Sequence, residues 1–578
     1  EDGWREGETG HRSPLPGDVR VVLVARLDRL VDEVKEAVQT AAVLGREFEV
    51  RLLARMLESA ENGSAAITGD DVSRLVAEAE QQAIWSALSE LRYIFKHALL
   101  RDAAYRMQVR ARRQALHALA VDVLESVYAG DLAPYYAELA HHAERAHLTD
   151  KAVRYLQQAG DAAVRNYANT EAIAHFYRAL ALLDVLPETI ERDRQELALQ
   201  IALFAPLAGA KSYGAPELGK AYTRAQELSE RAGEPGQVFL VSYGLWGHNF
   251  VQGDMKLARD LAKQCLTLAE KIQERALLME GHRMTDETAF FRGELVTARE
   301  HLDRTLSLYD PQLHRAHATV YGQEPGVASY SHGSWILWHL GYPDQARRMG
   351  QQAVALGEDV SHPFSLGFSL CYTTMLHQFC GDGKRVEELA EAAITLSKEQ
   401  EFLHWLALAT FPRGWVLANR GQSEVGITQM RQSSAYIKAI NINLYQPYHL
   451  ALLAEAYGQV GQPAEGLTLL AEALAVVKQG ELRYYEAELY RLKGELLLMQ
   501  GEEAVAVEAN YRQAMDIARR QAAKSLELRA AISLGRLLQQ QGKPDEARQI
   551  LAEVYNWFSE GFDTTDLKEA RALLDTLA

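Results

Sequence analysis

The sequence predicts an all-α protein: a long solenoid of helix hairpins, preceded by a small helical domain carrying one short strand or wing. Three observations carry this reading. Turn-forming glycines recur at a nearly constant interval along most of the chain. Proline is scarce, 15 in 578 residues, while Ala, Leu, Glu, Gln and Arg are abundant, a composition that favours helix. The 48% hydrophobic and 24% charged content fits packed cores, and a chain this long implies several domains or one repeat array. No stretch approaches the ~20 uninterrupted apolar residues of a membrane-spanning helix.

The repeat is the strongest signal. Its glycines stand at Gly253, Gly293, Gly341, Gly381, Gly421, Gly461, Gly501 and Gly542, spaced by 40, 48, 40, 40, 40, 40 and 41 residues. Three turns read almost alike: Gly341-Tyr-Pro-Asp-Gln-Ala346, Gly461-Gln-Pro-Ala-Glu-Gly466 and Gly542-Lys-Pro-Asp-Glu-Ala547. Glycine ends a first helix by adopting a left-handed backbone. Proline opens the second, where its missing N–H costs nothing. Small residues after the turn (Gly466, Ala547) and seven before it (Gly414, Ala454, Gly494, Gly535) let the two helices approach closely. Ala152/Leu156/Ala159 and Ala172/Phe176/Ala179 keep the second-helix spacing without the turn glycine. The pattern resembles the tetratricopeptide repeat, stretched from its usual ~34 residues by longer helices rather than longer turns. Roughly nine to eleven hairpins fit between about residue 130 and the end. Such an array is a tetratricopeptide-like superhelix, with a concave face built mostly from first helices that typically holds a peptide or protein.

Residues 1–16 are polar and read as a linker; 59–71 read as a loose loop. Helical spacing runs from Val19 to Leu57, and 92–100 read as a strand or wing entering a helix. Leu27-Asp-Arg-Leu30, Ala41-Ala-Val-Leu-Gly-Arg-Glu-Phe48, Phe95-Lys-His-Ala98 and Arg112-Arg-Gln-Ala-Leu-His117 resemble the helical lid and winged-helix end of a STAND-type ATPase module, which places that portion at 17–127 and the array at 128–578. Tyr309-Asp-Pro-Gln-Leu-His314, Tyr321-Gly-Gln-Glu-Pro-Gly-Val327, Tyr485-Glu-Ala-Glu-Leu489 and Gly561-Phe-Asp-Thr-Thr-Asp566 resemble the C-terminal arrays of bacterial proteins that join a class III adenylate/guanylate cyclase, a STAND ATPase and tetratricopeptide repeats. Large ATP-binding transcription regulators share the same middle, and a plain assembly scaffold is the third alternative.

The resemblance implies a non-catalytic sensor or interaction region of a cytoplasmic bacterial signalling protein, regulating a linked nucleotidyl cyclase. Its partners would be a protein or peptide in the concave groove and an upstream ATPase module. ATP or ADP with Mg would belong to the longer parent. The chain has no Gly-x-x-x-x-Gly-Lys-[Ser/Thr] phosphate loop, and Cys380-Gly-Asp-Gly-Lys384 has the wrong spacing and lies at a repeat turn. A start at Glu1-Asp2-Gly3 reads as a fragment of something longer.

Charge narrows the partners further. With 61 Lys and Arg against 78 Asp and Glu, the net charge is −17, poor for nucleic acid, which needs a basic surface. The basic run Arg106, Arg110, Arg112, Arg113 lies in a block with 17 basic against 21 acidic residues over 1–130, so solvated or paired side chains, or an interdomain contact, fit better than DNA. Cys265, Cys371 and Cys380 have no metal-ligand spacing and fit a reducing compartment. His141, His142 and His147 do not converge on one ion, because neighbouring helical side chains point ~100° apart. Asn62-Gly-Ser64 matches a glycosylation acceptor that a cytoplasmic protein would not use.

Two candidates remain. By resemblance His97 matches a winged-helix histidine that touches a nucleotide phosphate; a packed structural histidine is the alternative. The eight extra residues between Gly293 and Gly341 bring Arg315, Tyr321, Gln323 and Glu324 near Trp335 and Trp338, an irregular segment of the kind that binds partners or a simple longer loop. Aromatics on or near first helices, among them Tyr243, Trp246, Tyr372, Trp405 and Tyr445, divide between inter-repeat core and partner anchors.

Overall fold

The structure is a computed structural model and describes residues 17–60, 69–89, 91–314 and 317–577. It forms two compact units, Glu1–Pro187 and Glu188–Ala578. The 1–16 linker, most of the 59–71 loop with Asn62-Gly-Ser64, and Arg315 lie outside the described residues.

In the first unit the helical block predicted from Val19 to Leu57 is interrupted. Gly45 (φ 143°) ends the Asp32–Leu44 helix, and a strand Glu47–Glu49 follows. It pairs antiparallel with Arg92–Phe95, which also pairs with Trp85–Ala87. The expected wing is therefore a three-stranded sheet. Aromatic burial explains the extra strand: Phe48 lies 5.0 Å from Trp85 and 5.9 Å from Phe95. The Arg110–Val127 helix continues into the hairpins beyond residue 127 through His117 Nδ1···His142 Nδ1 (2.8 Å) and Lys151 on Asp122 and Glu125, so contacts part at 187 rather than 127. The helices carrying Ala152/Leu156/Ala159 and Ala172/Phe176/Ala179 are the neighbouring Thr149–Arg165 and Asn169–Leu183, with Gly160 against the Phe176 ring. They are two arms in contact, not the second arms of two hairpins, because only about one helix length separates them.

The second unit explains the 40-residue rhythm. Pro343–Asp359, Pro363–Phe379, Gly383–Glu399, Leu403–Asn419 and Ser423–Ala439 are each 17 residues long, separated by three-residue turns. Two such helices and two such turns make one period, so the extra length is in the helices. The turn glycines have φ between 71° and 94°, the left-handed cap inferred from sequence. The alternate turns carry a second left-handed series that glycine spotting misses: Ser361, Glu401, Asn441, Glu481 and Ala522, φ 52–60°.

The superhelix winds tightly enough for one turn to rest on the next. Asn443 N and Leu444 N donate to Val251 O, Arg483 N and Tyr484 N donate to Phe291 O, and Ser525 Oγ donates to Trp338 O. Glu560 accepts from Asp344 N and Gln345 N, and Arg347 pairs with Asp563. The glycine turns divide accordingly. A Cβ at Gly253, Gly293, Gly341 or Gly381 would meet Leu482, Gln521, Trp557 or Thr565, whereas one at Gly421, Gly461, Gly501 or Gly542 would meet nothing within 4 Å. The first four turns are docked and the last four form an open edge.

The concave side is mostly filled. Phe290 and Phe291 meet Tyr484 at 5.4 and 4.9 Å, Tyr372 Oη bonds Tyr445 Oη at 2.6 Å, and Tyr448 Oη donates to Gln378 Oε1 at 2.9 Å. First helices such as Pro325–His339 are consequently buried nearly all round, as a helix hydrophobic on every face requires. Where the repeat alone predicts a continuous groove, an aromatic core surrounds a cavity.

Candidate functional site

Five successive first helices wall this cavity. Pro235–Gln252 supplies Tyr243, Trp246 and Gly247; Arg275–Phe291 supplies Arg283 and Glu287; Pro325–His339 supplies His332; Pro363–Phe379 supplies Phe368 and Tyr372; Leu403–Asn419 supplies His404 and Trp405. The insert adds Tyr321 and Gln323, and the chain after Ser423–Ala439 adds Ile442, Leu444 and Tyr445. The empty space, mouth included, is about 890 Å3.

An ionic cluster on Arg275–Phe291 forms one wall. Glu280, Arg283 and Glu287 share a helix face by their i, i+3, i+7 spacing. The Arg283 guanidinium is spent within the chain: Nε donates to Glu280 at 2.8 Å, one NH2 group to Glu287 Oε1 at 2.5 Å, and the other to the Tyr243 hydroxyl. It also lies 5.4 Å over the Tyr243 ring and 5.7 Å over Trp246. His317 Nδ1 is 2.9 Å from Glu280 Oε1, and His332 Nδ1 is 3.3 Å from Glu287 Oε1. Burial would raise both glutamates, but Arg283 with His317 for Glu280, and His332 with Arg283 for Glu287, holds each below the usual carboxylate range. Asp286 behaves oppositely: burial and the neighbouring Glu287 push its carboxyl well up, outweighing Arg283 and the bond from Thr305.

Buried polar atoms without partners surround the same space. Trp405 Nε1, His404 Nε2, His332 Nε2 and Gln323 Nε2 make no hydrogen bond, although Trp405, His404 and His332 are 4%, 5% and 2% exposed. An unmet buried polar atom costs ~1–3 kcal/mol, so four around one cavity is the pattern of a site completed by something else.

The sequence-predicted residues fall into three places. Tyr321 and Gln323 line the cavity, Tyr321 with its ring 4.6 Å from Tyr243. Glu324, Trp335 and Trp338 are inside the core, not on a partner-facing surface. Glu324 caps Pro325–His339 through Val327 N at 2.6 Å and accepts from Tyr309 Oη at 2.8 Å; Trp335 Nε1 donates to Tyr372 O; Trp338 stacks on Phe379 beneath the Arg529 guanidinium. The Glu324 carboxylate and the Trp335 indole N–H are thus bonded within the fold. His97 is exposed at the start of Ala98–Met107 and makes no capping bond. Of the basic run, Arg112 pairs with Glu36, Arg113 lies over Tyr105 and Arg110 reaches His147, while Arg106 is exposed. His142 is buried on His117, apart from exposed His147; among the described residues no group of three His, Cys, Asp or Glu could hold a metal ion. Cys380 is buried, and Asp382 caps the next helix. Sequence reasoning missed the Glu280–Arg283–Glu287 face, whose one available signal was three charges at helical spacing on an otherwise apolar type of helix.

Comparison with known proteins bears on the repeat. The tetratricopeptide repeat family model matches residues 447–472 and 528–553, within two hairpins of the second unit. An uncharacterized protein of Rhizobium meliloti (strain 1021) is 23% identical over 525 residues, covering 89% of this chain and 50% of the relative; the chain spans about half the length of the relative it matches. Among solved structures, a Rap protein complexed with competence and sporulation factor is 13% identical, covering 64% of this chain and 98% of that one, with a TM-score of 0.49. A signal transduction ATPase with numerous domains and a tetratricopeptide repeat sensor, from Pyrococcus horikoshii, is 9% identical, covering 98% and 68%, with a TM-score of 0.28. The array is an all-α, tetratricopeptide-like superhelix, a fold of the protein-interaction and sensor type. Among the described residues no helix is long and apolar enough to cross a membrane.

Proposed function

We propose that this chain is the sensor region of a signal-transduction ATPase linked to a nucleotidyl cyclase, and that a ligand in the Tyr243–Trp405 cavity sets its state. The cavity carries the reading: a tetratricopeptide-like array whose aromatic core leaves a charged, incompletely bonded space there. Position supplies the coupling. Ile442, Leu444 and Tyr445 line the cavity, and the same segment docks on Val251 through Asn443 N and Leu444 N at 2.8 and 3.1 Å. An occupant that bears on this segment favours one arrangement of the two superhelical turns over another, which is all a ligand needs to shift a two-state equilibrium. The ATPase and cyclase parts rest on the sequence resemblance. A nucleotide phosphate, held by a loop this chain lacks, would find the imidazole of His97 exposed and unbonded to its own helix.

Gly247 gives the test. It lines the cavity and a Cβ there meets nothing within 4 Å, so Gly247→Leu fills the space without a clash at its first atom. In the longer protein, Gly247→Leu is expected to change ATP hydrolysis or cyclic nucleotide formation, or to abolish their response to ligand. Output identical to wild type under every condition refutes the coupling. An upstream coding sequence with a DNA-binding domain in place of cyclase aspartates and a phosphate loop refutes the cyclase link.

A further inference from the structure

We propose that the cavity takes a small uncharged molecule with an apolar, ring-bearing body and carbonyl oxygens, the oxygens accepting from Trp405 Nε1 and Gln323 Nε2. This rests on the reading of the cavity as a ligand site, deepens it, and needs nothing from the upstream modules.

The unmet donors come first. Trp405 Nε1 and Gln323 Nε2 are buried without a hydrogen-bond partner, and both residues border the space. An indole N–H and an amide NH2 group only donate, so whatever completes them brings acceptors. His404 Nε2 and His332 Nε2, equally unbonded, donate or accept according to tautomer and leave that requirement unchanged. Hydroxyls on the same walls are engaged elsewhere: Tyr243 Oη accepts from Arg283, and Tyr372 and Tyr445 bond each other at 2.6 Å.

Charge then separates a neutral carbonyl from an ion. Arg283, the basic residue of the wall, donates to Glu280, Glu287 and Tyr243. Each of those glutamates also meets an imidazole, His317 at 2.9 Å and His332 at 3.3 Å. The ionic groups are closed on one another. An ionised occupant of either sign would give up its hydration without gaining a counter-charge that is not already paired, and that penalty outweighs what hydrogen bonds return. A carbonyl gives up far less and recovers it from two N–H donors.

The walls supply the rest. Tyr243, Trp246, Phe368, Tyr372 and Tyr445 border the space, with the Phe368 and Tyr372 rings stacked at 4.0 Å. Apolar surface covered by these rings gives affinity in proportion to the area removed from water, and the few polar atoms fix orientation. A space of about 890 Å3, mouth included, is the size that takes a small molecule.

The experiment is calorimetry on the 578-residue chain with four probes of similar size. Benzylacetone carries an uncharged carbonyl, butylbenzene (read by competition) has no acceptor, hydrocinnamate is an anion and phenylbutylamine a cation. Benzylacetone is expected to bind saturably and to exceed each of the others by roughly 10-fold. Trp405→Phe and Gln323→Leu should each weaken benzylacetone toward butylbenzene while leaving butylbenzene unchanged, a selective loss that general damage to the fold does not produce. A melt accompanies both; if Trp405→Phe melts early, Gln323→Leu, on the insert, decides. Gly247→Leu should block every probe. Butylbenzene or either ion binding as tightly as benzylacetone overturns the proposal, as does the absence of saturable benzylacetone binding. An unchanged preference for benzylacetone in both donor variants overturns the assigned contacts. If these fail while Gly247→Leu still alters output in the longer protein, the cavity is a sensor for another chemistry; if both fail, the sensor reading falls with it.

Discussion

Replacing turn glycines by alanine, one from the docked set and one from the open set, isolates the contact between superhelical turns. Gly341 and Gly501 both need a left-handed backbone, with φ 94° and 80°. Alanine in that region costs ~1–2 kcal/mol, offset in part by the ~0.4–1 kcal/mol that the unfolded chain loses in freedom. Gly501→Ala should therefore cost ~1 kcal/mol, since its Cβ meets nothing. At Gly341 the new Cβ would lie 2.5 Å from Trp557 Cζ3 and 2.8 Å from Lys524 Cβ. Lys524 Cβ is close to its own backbone and cannot simply swing away, so an overpacking cost of ~1–3 kcal/mol is added. The expected difference between the variants is that second quantity. Guanidinium unfolding followed by circular dichroism measures it, compared by midpoint because repeat arrays unfold in parts. Gly461→Ala is a second open-set control. If docked and open glycines cost the same, the turns do not press on each other and the closed superhelix is wrong.

Five further outcomes are expected. Arg283→Met leaves Glu280 and Glu287 buried against each other without their cation and should cost ~3–5 kcal/mol in the same unfolding assay. Acid should destabilise the fold through histidines that burial holds neutral: His339 is lowered to about 4, His404 and His449 to about 3, from 6.5. Because the unfolded chain takes up those protons first, their contribution is complete above pH 6.5 and is lost as pH falls from there toward 4 and 3; a melt at pH 5 should show a loss of roughly 2 kcal/mol for each. Ala522→Gly should raise stability by up to ~1 kcal/mol, because alanine there holds φ 58°. His97→Ala should shift stability by less than ~0.5 kcal/mol, as for an exposed side chain with no capping bond, and purified residues 1–578 should neither hydrolyse ATP nor form cyclic nucleotides; a shifted melt, or activity that survives purification, contradicts these.

What the sequence determined by itself is what is local and repeated. Gly341, Gly381, Gly421 and Gly461 mark the period because each hairpin ends its first helix the same way, and the small contacts at Gly414 and Gly426 follow from the close approach of adjacent helices. These need only residues less than one period apart. The wing was half legible: the Arg92–Phe95 strand stood out, but its partner Glu47–Glu49 is three residues long and hides inside a helical pattern. The left-handed series at Ser361, Glu401, Asn441, Glu481 and Ala522 left no residue-type signature at all. Tertiary structure alone decided which polar and aromatic residues are available. Turn docking joins groups 187–216 residues apart, such as Ser525 with Trp338 and Asp344 with Glu560, and no periodicity states how tightly a superhelix winds. That winding buries Trp335 and Trp338, turns the insert's Glu324 into a helix cap, and leaves Tyr321 and Gln323 beside a charged helix face that only folding brings to the same cavity. The period fixes each hairpin; the small rotation from one hairpin to the next, set by side-chain packing and accumulated over five of them, fixes the site.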